Sequence, residues 1–195
     1  MTKPPPPGTP EWDAYLAEGN AKQARKRVTA DALLRDPDGR LLLVRPTYKP
    51  GWDLPGGMAE SNEAPSDAVR RELGEELGLD VTPFALLCID WVPPHGPWDD
   101  LMAFVFDAGQ LPWDMCATLR PHDEELSECA FFPEDQALSL LRDRQRRRAE
   151  QALVALRTGV PRYLQDGQPP WNRNPAPAHE GQQPTTRTDP EGGTR

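Results

Sequence analysis

Three glutamates, Glu72, Glu75 and Glu76, fall within about 100° of one another when residues 65–77 are set on a helical wheel. Val69, Leu73 and Leu77 form a separate apolar stripe. The acidic edge is costly for a helix. Like charges four residues apart cost roughly 0.2–0.5 kcal/mol, carboxylates at the negative end of the helix dipole a further ~0.3–1 kcal/mol, and an internal glycine such as Gly74 about 1 kcal/mol relative to alanine. A divalent cation would offset this cost, and hard oxygen donors without Cys or His suit Mg²⁺ or Mn²⁺ better than zinc. A solvated acidic face is the competing reading.

The flanking residues indicate how such a helix is positioned. Pro65 suits its first turn and Gly78 a left-handed cap beyond Leu77. Upstream, Val28, Ala30, Ala32 and Leu34 alternate on one face, Asp36-Pro37-Asp38-Gly39 is a turn, and Leu41-Leu42-Leu43-Val44 returns, which predicts a β-hairpin. A short strand is expected over Trp52-Asp53-Leu54, followed by Pro55-Gly56-Gly57, whose paired glycines permit a backbone path closed to other residues. Strands are predicted near 84–92 and 101–107 and over 127–132, and helices near 134–141 and 143–158. Together they describe an α/β fold, a mixed sheet sandwiched between helices in three α/β/α layers.

Residues 1–26 read as a proline-rich lead and a helical strap, the helix starting at Thr9-Pro10-Glu11-Trp12 and docking on the domain through Trp12, Tyr15 and Leu16. Residues 27–160 form the domain, and 161–195 are expected to be a disordered polar tail. The chain has 195 residues, 24 of them proline, and a net charge of -9, which argues against a general polyanion binder. The sequence offers no long apolar membrane run and no secretory leader. Cys88, Cys116 and Cys129 lack metal-ligand spacing and read as reduced thiols, so a cytoplasmic location is expected.

From Gly57 the chain runs five residues to Glu63 and seven more to Arg71-Glu72-Leu73-Gly74-Glu75-Glu76-Leu77-Gly78-Leu79. This segment resembles the signature of the Nudix hydrolases, the MutT-like family, at every fixed position. A chance match of its seven fixed residue types has a probability on the order of 10⁻⁹ per start position. The resemblance implies the Nudix fold and Mg²⁺-dependent hydrolysis, with Mn²⁺ able to substitute. The bond cleaved would be the pyrophosphate of a nucleoside diphosphate linked to another group: a nucleoside triphosphate, an oxidised nucleotide, ADP-ribose or a sugar nucleotide. It makes Glu72, Glu75 and Glu76 the metal-binding glutamates, with the backbone carbonyl of Gly56 as a further ligand. Arg71 and Glu63 become the ion pair that orients them.

Beyond the motif, Glu124 and Glu125 occupy the place from which family members draw another carboxylate, and Glu125 is taken as a metal ligand. Arg45 and Lys49 are candidates for phosphate contacts or ordinary surface charges, and Trp52 and Tyr48 for stacking on a base or packing in the core. Asp99 and Asp100 either line a pocket mouth or form a turn. Pro94 lies 15 residues beyond Leu79, a spacing found among ADP-ribose enzymes that carries little weight in so proline-rich a chain. The arginines at 142, 144, 146, 147 and 148 read as the solvated basic face of an amphipathic helix rather than as an RNA surface. The expected partner is a small-molecule nucleotide, not nucleic acid or membrane, and a homodimer stays open. The alternative function is a nucleotide-sensing module of the same fold that binds without turnover; the intact set of glutamates argues against it.

Overall fold

The computed structural model describes residues 4–171. Its sheet grows from the expected hairpin: β1 (Arg27–Arg35) pairs antiparallel with β2 (Leu41–Pro46) at Arg35 and Leu41. Strand β3 (Gly56–Met58) pairs with the first half of β1. The remaining strands are β4 (Ala85–Val92), β5 (Leu101–Gln110), β6 (Leu126–Phe132) and β7 (Arg162–Gln165), and the sheet runs β6-β2-β1-β5-β4-β7. Parallel pairs β1/β5 and β4/β7 alternate with antiparallel ones, so the sheet is mixed as expected.

The two-residue period of β1 divides the core. Ala30, Ala32 and Leu34 pack with Val69, Leu73 and Leu77 of α2 (Pro65–Leu77). Leu33 packs on the other face with Ala137 of α4 (Glu134–Leu140) and Ala149, Ala152 and Leu153 of α5 (Asp143–Thr158). Helix α2 begins with Pro65 and ends at Gly78 in the left-handed conformation, φ 66°, whose N–H reaches the Gly74 carbonyl at 3.0 Å.

Several expectations change. The strand expected at 52–54 reduces to isolated bridges, Val44 with Asp53 and Trp52 with Leu141, and the regular strand begins at Gly56. Pro55 lacks an N–H and interrupts the ladder, while its carbonyl accepts from Ala32 N–H at 2.8 Å. The N-terminal helix α1 (Pro10–Ala21) is capped by Thr9 but has no buried residue, so it is not a docked strap. Trp12 stacks on Tyr15 at 5.8 Å, and Tyr15 and Leu16 are exposed. A short α3 (Trp113–Thr118) was not expected.

The boundary at 160 also moves. Strand β7 extends the sheet beside β4, and Leu164 is fully buried against α5. Residues 161–171 therefore belong to the domain, while the rest of the expected tail, 172–195, lies outside the described residues. The three cysteines are unbridged, and among the described residues no helix is long and apolar enough to cross a membrane. Replacing Leu164→Ala is expected to cost about 2–5 kcal/mol in urea unfolding; a residue in a disordered tail would cost nothing.

Candidate active site

The core stripe of α2 fixes the rotation of the helix and sends its acidic edge towards β3. Glu76 is only 7% exposed, and its carboxylate accepts one hydrogen bond, from the Gly56 N–H at 3.1 Å. Burial, with repulsion from Glu72, Asp123 and Asp31, pushes its pKa up to about 8. Glu72 is half-buried and is also raised, chiefly by burial and against the pull of Arg71. Two glycines permit this approach. Gly56 has φ 137°, and a Cβ there would lie 2.3 Å from the Ala30 carbonyl oxygen; a Cβ on Gly57 would lie 2.4 Å from Glu72 Oε1.

Arg71 ties the loop to the helix. It grips Glu63 with two bonds, 2.9 and 3.0 Å, and donates to the Met58 carbonyl at 3.0 Å. Its Nη1 meets Glu72 at 3.0 Å and Glu75 at 2.9 Å. The guanidinium holds Glu63 below the usual carboxylate range. Arg71 and Glu63 form an ion pair beside the three glutamates, with Glu75 exposed and turned to Arg71.

A cavity of about 720 Å³ opens beside these glutamates. Its lining includes the acidic Glu72, Glu76 and Glu125 with Gly56 and Gly57, and the basic Lys49, Arg142, Arg144 and Arg148. Lys49 lines it, paired to Asp53 at 2.6 Å. Arg45 is not. It is exposed on β2, pairs with its cross-strand neighbour Glu128 of β6 at 3.6 Å, and does not line the cavity. Trp52 is also outside: its ring packs edge-to-face on Phe132 at 5.0 Å, against the α4–α5 core. Tyr48 lines the cavity and is largely exposed. Glu125 reaches the cavity whereas Glu124 does not line it, and Asp100 serves the fold by accepting from Trp91 Nε1 at 2.8 Å.

Sequence reasoning missed the basic lining. The arginine cluster is not simply a solvated face: Arg148 is buried, bound to the fully buried Asp90 at 2.9 Å and to Asp31 at 3.5 Å. Arg142 reaches Asp53 at 3.2 Å, Gln145 also donates to Asp53, and Arg144 and Arg147 both hold Asp166. The signal was present, since Arg148 shares the helical stripe of Ala152 and Ala155. Asp31, between Ala30 and Ala32 in an apolar strand, was likewise readable; burial pushes it up to about 6.

The donor set matches a hard divalent cation: oxygen donors only, one of them on a buried carboxylate with a single hydrogen bond from the described residues. Among the described residues no three acidic, His or Cys side chains are already gathered as a ligand cluster. Arg71 engages one carboxylate oxygen each of Glu72 and Glu75.

An acid-lined cavity at the junction of β1, β3 and α2 in an α/β/α sandwich defines the type of site. The model of the NUDIX domain family matches residues 25–153, and the chain belongs to the Nudix family. It is 56% identical over 36 residues to an 8-oxo-dGTP diphosphatase of Proteus vulgaris, covering 18% of this chain and 32% of that protein. It is 28% identical over 104 residues to the phosphatase NudJ of Escherichia coli, covering 52% and 65% respectively. The match to an RNA pyrophosphohydrolase of Halorhodospira halophila is 38% over 61 residues, covering 31% and 34%. In these three relatives the chain spans between about a third and two thirds of the relative's length. The fold is similar to a MutT protein from Methanosarcina mazei, TM-score 0.57 at 23% identity over 70% of this chain and 99% of that one. It is also similar to a UDP-X diphosphatase, TM-score 0.60 at 20% identity over 79% and 74%.

The raised Glu76 carboxyl gives a pH dependence with a defined sign. Between its ordinary value of 4.5 and about 8, the folded protein holds a proton that the unfolded chain has released, so stability falls as pH rises through that window. In chelator, the wild-type Tm is expected to decline from pH 5 to 8 more steeply than that of Glu76→Gln. Thermal melts across that range check this, and parallel curves contradict it.

Proposed function

We propose that the protein is a Mg²⁺-dependent pyrophosphohydrolase acting on a nucleoside diphosphate linked to another moiety. The observation that carries the reading is the juxtaposition in one cavity of the Glu72/Glu76 edge with Lys49, Arg142 and Arg144. Glu72, Glu75 and Glu76, the Gly56 carbonyl and Glu125 would hold the cation. Mg²⁺, when bound, supplies charge neutralisation of the pyrophosphate and polarises the phosphoryl group under attack.

The chain's own contribution is placement. Arg71 and Glu63 fix the glutamates relative to the β3 loop, so the acidic edge does not need to be ordered when substrate arrives. Water adds to one phosphorus in line as the bridging oxygen leaves, giving two phosphorylated products. The water proton needs a carboxylate, and Glu125, whose side chain accepts no hydrogen bond from the described residues, is available at the cavity. Lys49 and the arginines offer donors to substrate oxygens. A cytoplasmic site of action and a small-molecule nucleotide substrate fit the three unbridged thiols and the net charge of -9.

The test is phosphate release from nucleoside triphosphates, oxidised nucleotides, ADP-ribose and sugar nucleotides, with and without a coupling phosphatase. Glu76→Gln is expected to lower metal-dependent kcat by about 10²–10⁴-fold while remaining folded. Turnover at the wild-type rate would reject this acid site, and binding without turnover by the wild type would favour the sensor reading.

A further inference from the structure

Asp31 stands out among the polar groups of the cavity. It lies mid-strand in β1, between Thr29, also at the cavity, and Leu33, which belongs to the apolar α4–α5 core. A carboxylate there bears a desolvation cost that hydrogen bonds must offset. Its one side-chain bond among the described residues is to Arg148 at 3.5 Å, the outer limit, while Arg148 is already bound to Asp90 at 2.9 Å. Asp31 Oδ1 accepts nothing from the described residues and is not among their sealed, unpartnered atoms. The neighbouring groups are committed: the Thr29 hydroxyl to the Gly57 carbonyl at 2.9 Å, and Asp53 to Lys49, Arg142 and Gln145. On this strand, Asp31 is an acceptor left open to the cavity.

Its position limits what it can meet. Asp31 pairs in register with Gly56, whose N–H holds Glu76, so it lies one strand spacing, about 4.8 Å between backbones, from the segment that sets the acidic site. A phosphate is repelled by a carboxylate. A hydrogen-bond donor satisfies it, and the donors of a nucleotide nearest its pyrophosphate are sugar hydroxyls.

Resting on the reading above, we infer that Asp31 accepts hydrogen bonds from hydroxyls of the sugar adjoining the pyrophosphate and selects hydroxylated over deoxygenated substrates. The sugar is either the nucleoside ribose or that of the linked moiety, and two experimental arms separate them. One compares ATP with 2′-dATP and 3′-dATP. The other compares ADP-ribose with its analogue lacking a hydroxyl on the terminal ribose.

In one arm, wild-type kcat/KM is expected to fall by about 10-fold or more on removal of the hydroxyl, mainly through KM. Asp31→Ala should bring the hydroxylated substrate down to the level of its analogue and leave the analogue unchanged. Asp31→Asn, which preserves shape, should remain folded and Mg²⁺-dependent while losing most of the discrimination. The inference is overturned if the wild type discriminates in neither arm, if Asp31→Ala lowers both members of each pair equally, or if Asp31→Asn keeps the full wild-type discrimination. Turnover of other pyrophosphates but of none in these arms also overturns it. No pyrophosphate turnover at all overturns the hydrolase reading beneath it.

Discussion

Burying the Glu76 carboxylate against a single backbone amide is the constraint around which the acidic half of the molecule is organised. A carboxylate out of water with one hydrogen bond is costly unless it is protonated or meets a cation. Burial and its acidic neighbours push the group towards the protonated form, so the isolated fold does not provide the missing partner. What the fold provides is confinement. Val69, Leu73 and Leu77 lock α2 onto the sheet, and the two glycines of β3 let the backbone pass where any side chain would collide. Arg71 binds loop and helix together through Glu63 and Met58. The helix thus keeps an arrangement that its own electrostatics oppose, and a hard divalent cation is the partner that would relieve it.

The basic lining of the cavity is also fixed by buried charge, but there the charges are already paired. Asp90 in β4 accepts from Arg148 of α5 and from the Gly167 N–H just beyond β7, and Asp166 in the same turn holds Arg144 and Arg147. Helix, central strand and edge strand are therefore joined by one network. Breaking such a network by removing one partner costs far more than the intact network contributes. Its value to the cavity lies in orientation, since it sets the start of α5, where Arg142 and Arg144 reach the lining.

Elements whose burial follows a strong period were legible in the sequence. Alternation gave the β1–β2 hairpin, and the stripe of Val69, Leu73 and Leu77 with its terminal glycine gave α2. Strand β7 escaped because only Leu164 of its four residues is buried and proline and polar residues surround it, a composition shared with an unstructured tail. The acidic side of the site was legible because its residues lie within one short stretch. The rest of the lining was not, because Asp31, Asp53 and Arg148 come together only through the sheet, and a charge row on a helix looks solvated until its partners are known. Trp52 and Arg45 stayed open between a site role and a packing or surface role for a related reason. Nearness in sequence to the glycine turn does not say which side of the chain faces the cavity.

Helices α2 and α5 pack on opposite faces of the sheet, yet their side chains line the same cavity. The sheet explains this. At its lower end β1 pairs with β2, but along Thr29–Asp31 its partner is β3, and the segment from Asp53 onward lies between the two strands. Asp53 exchanges backbone bonds with Val44 on the β2 side, and the Pro55 carbonyl accepts from Ala32 on the β1 side. The inserted segment splits the sheet, and the split is what gives Glu76 from one layer access to the space beside Asp31 and Arg148 from the other. A proline that ends the ladder and two glycines that pass close to the helix are therefore required by the architecture before any ligand is considered. The net charge of the whole chain then matters little to substrate binding, because charges of both signs are drawn from two layers into one opening.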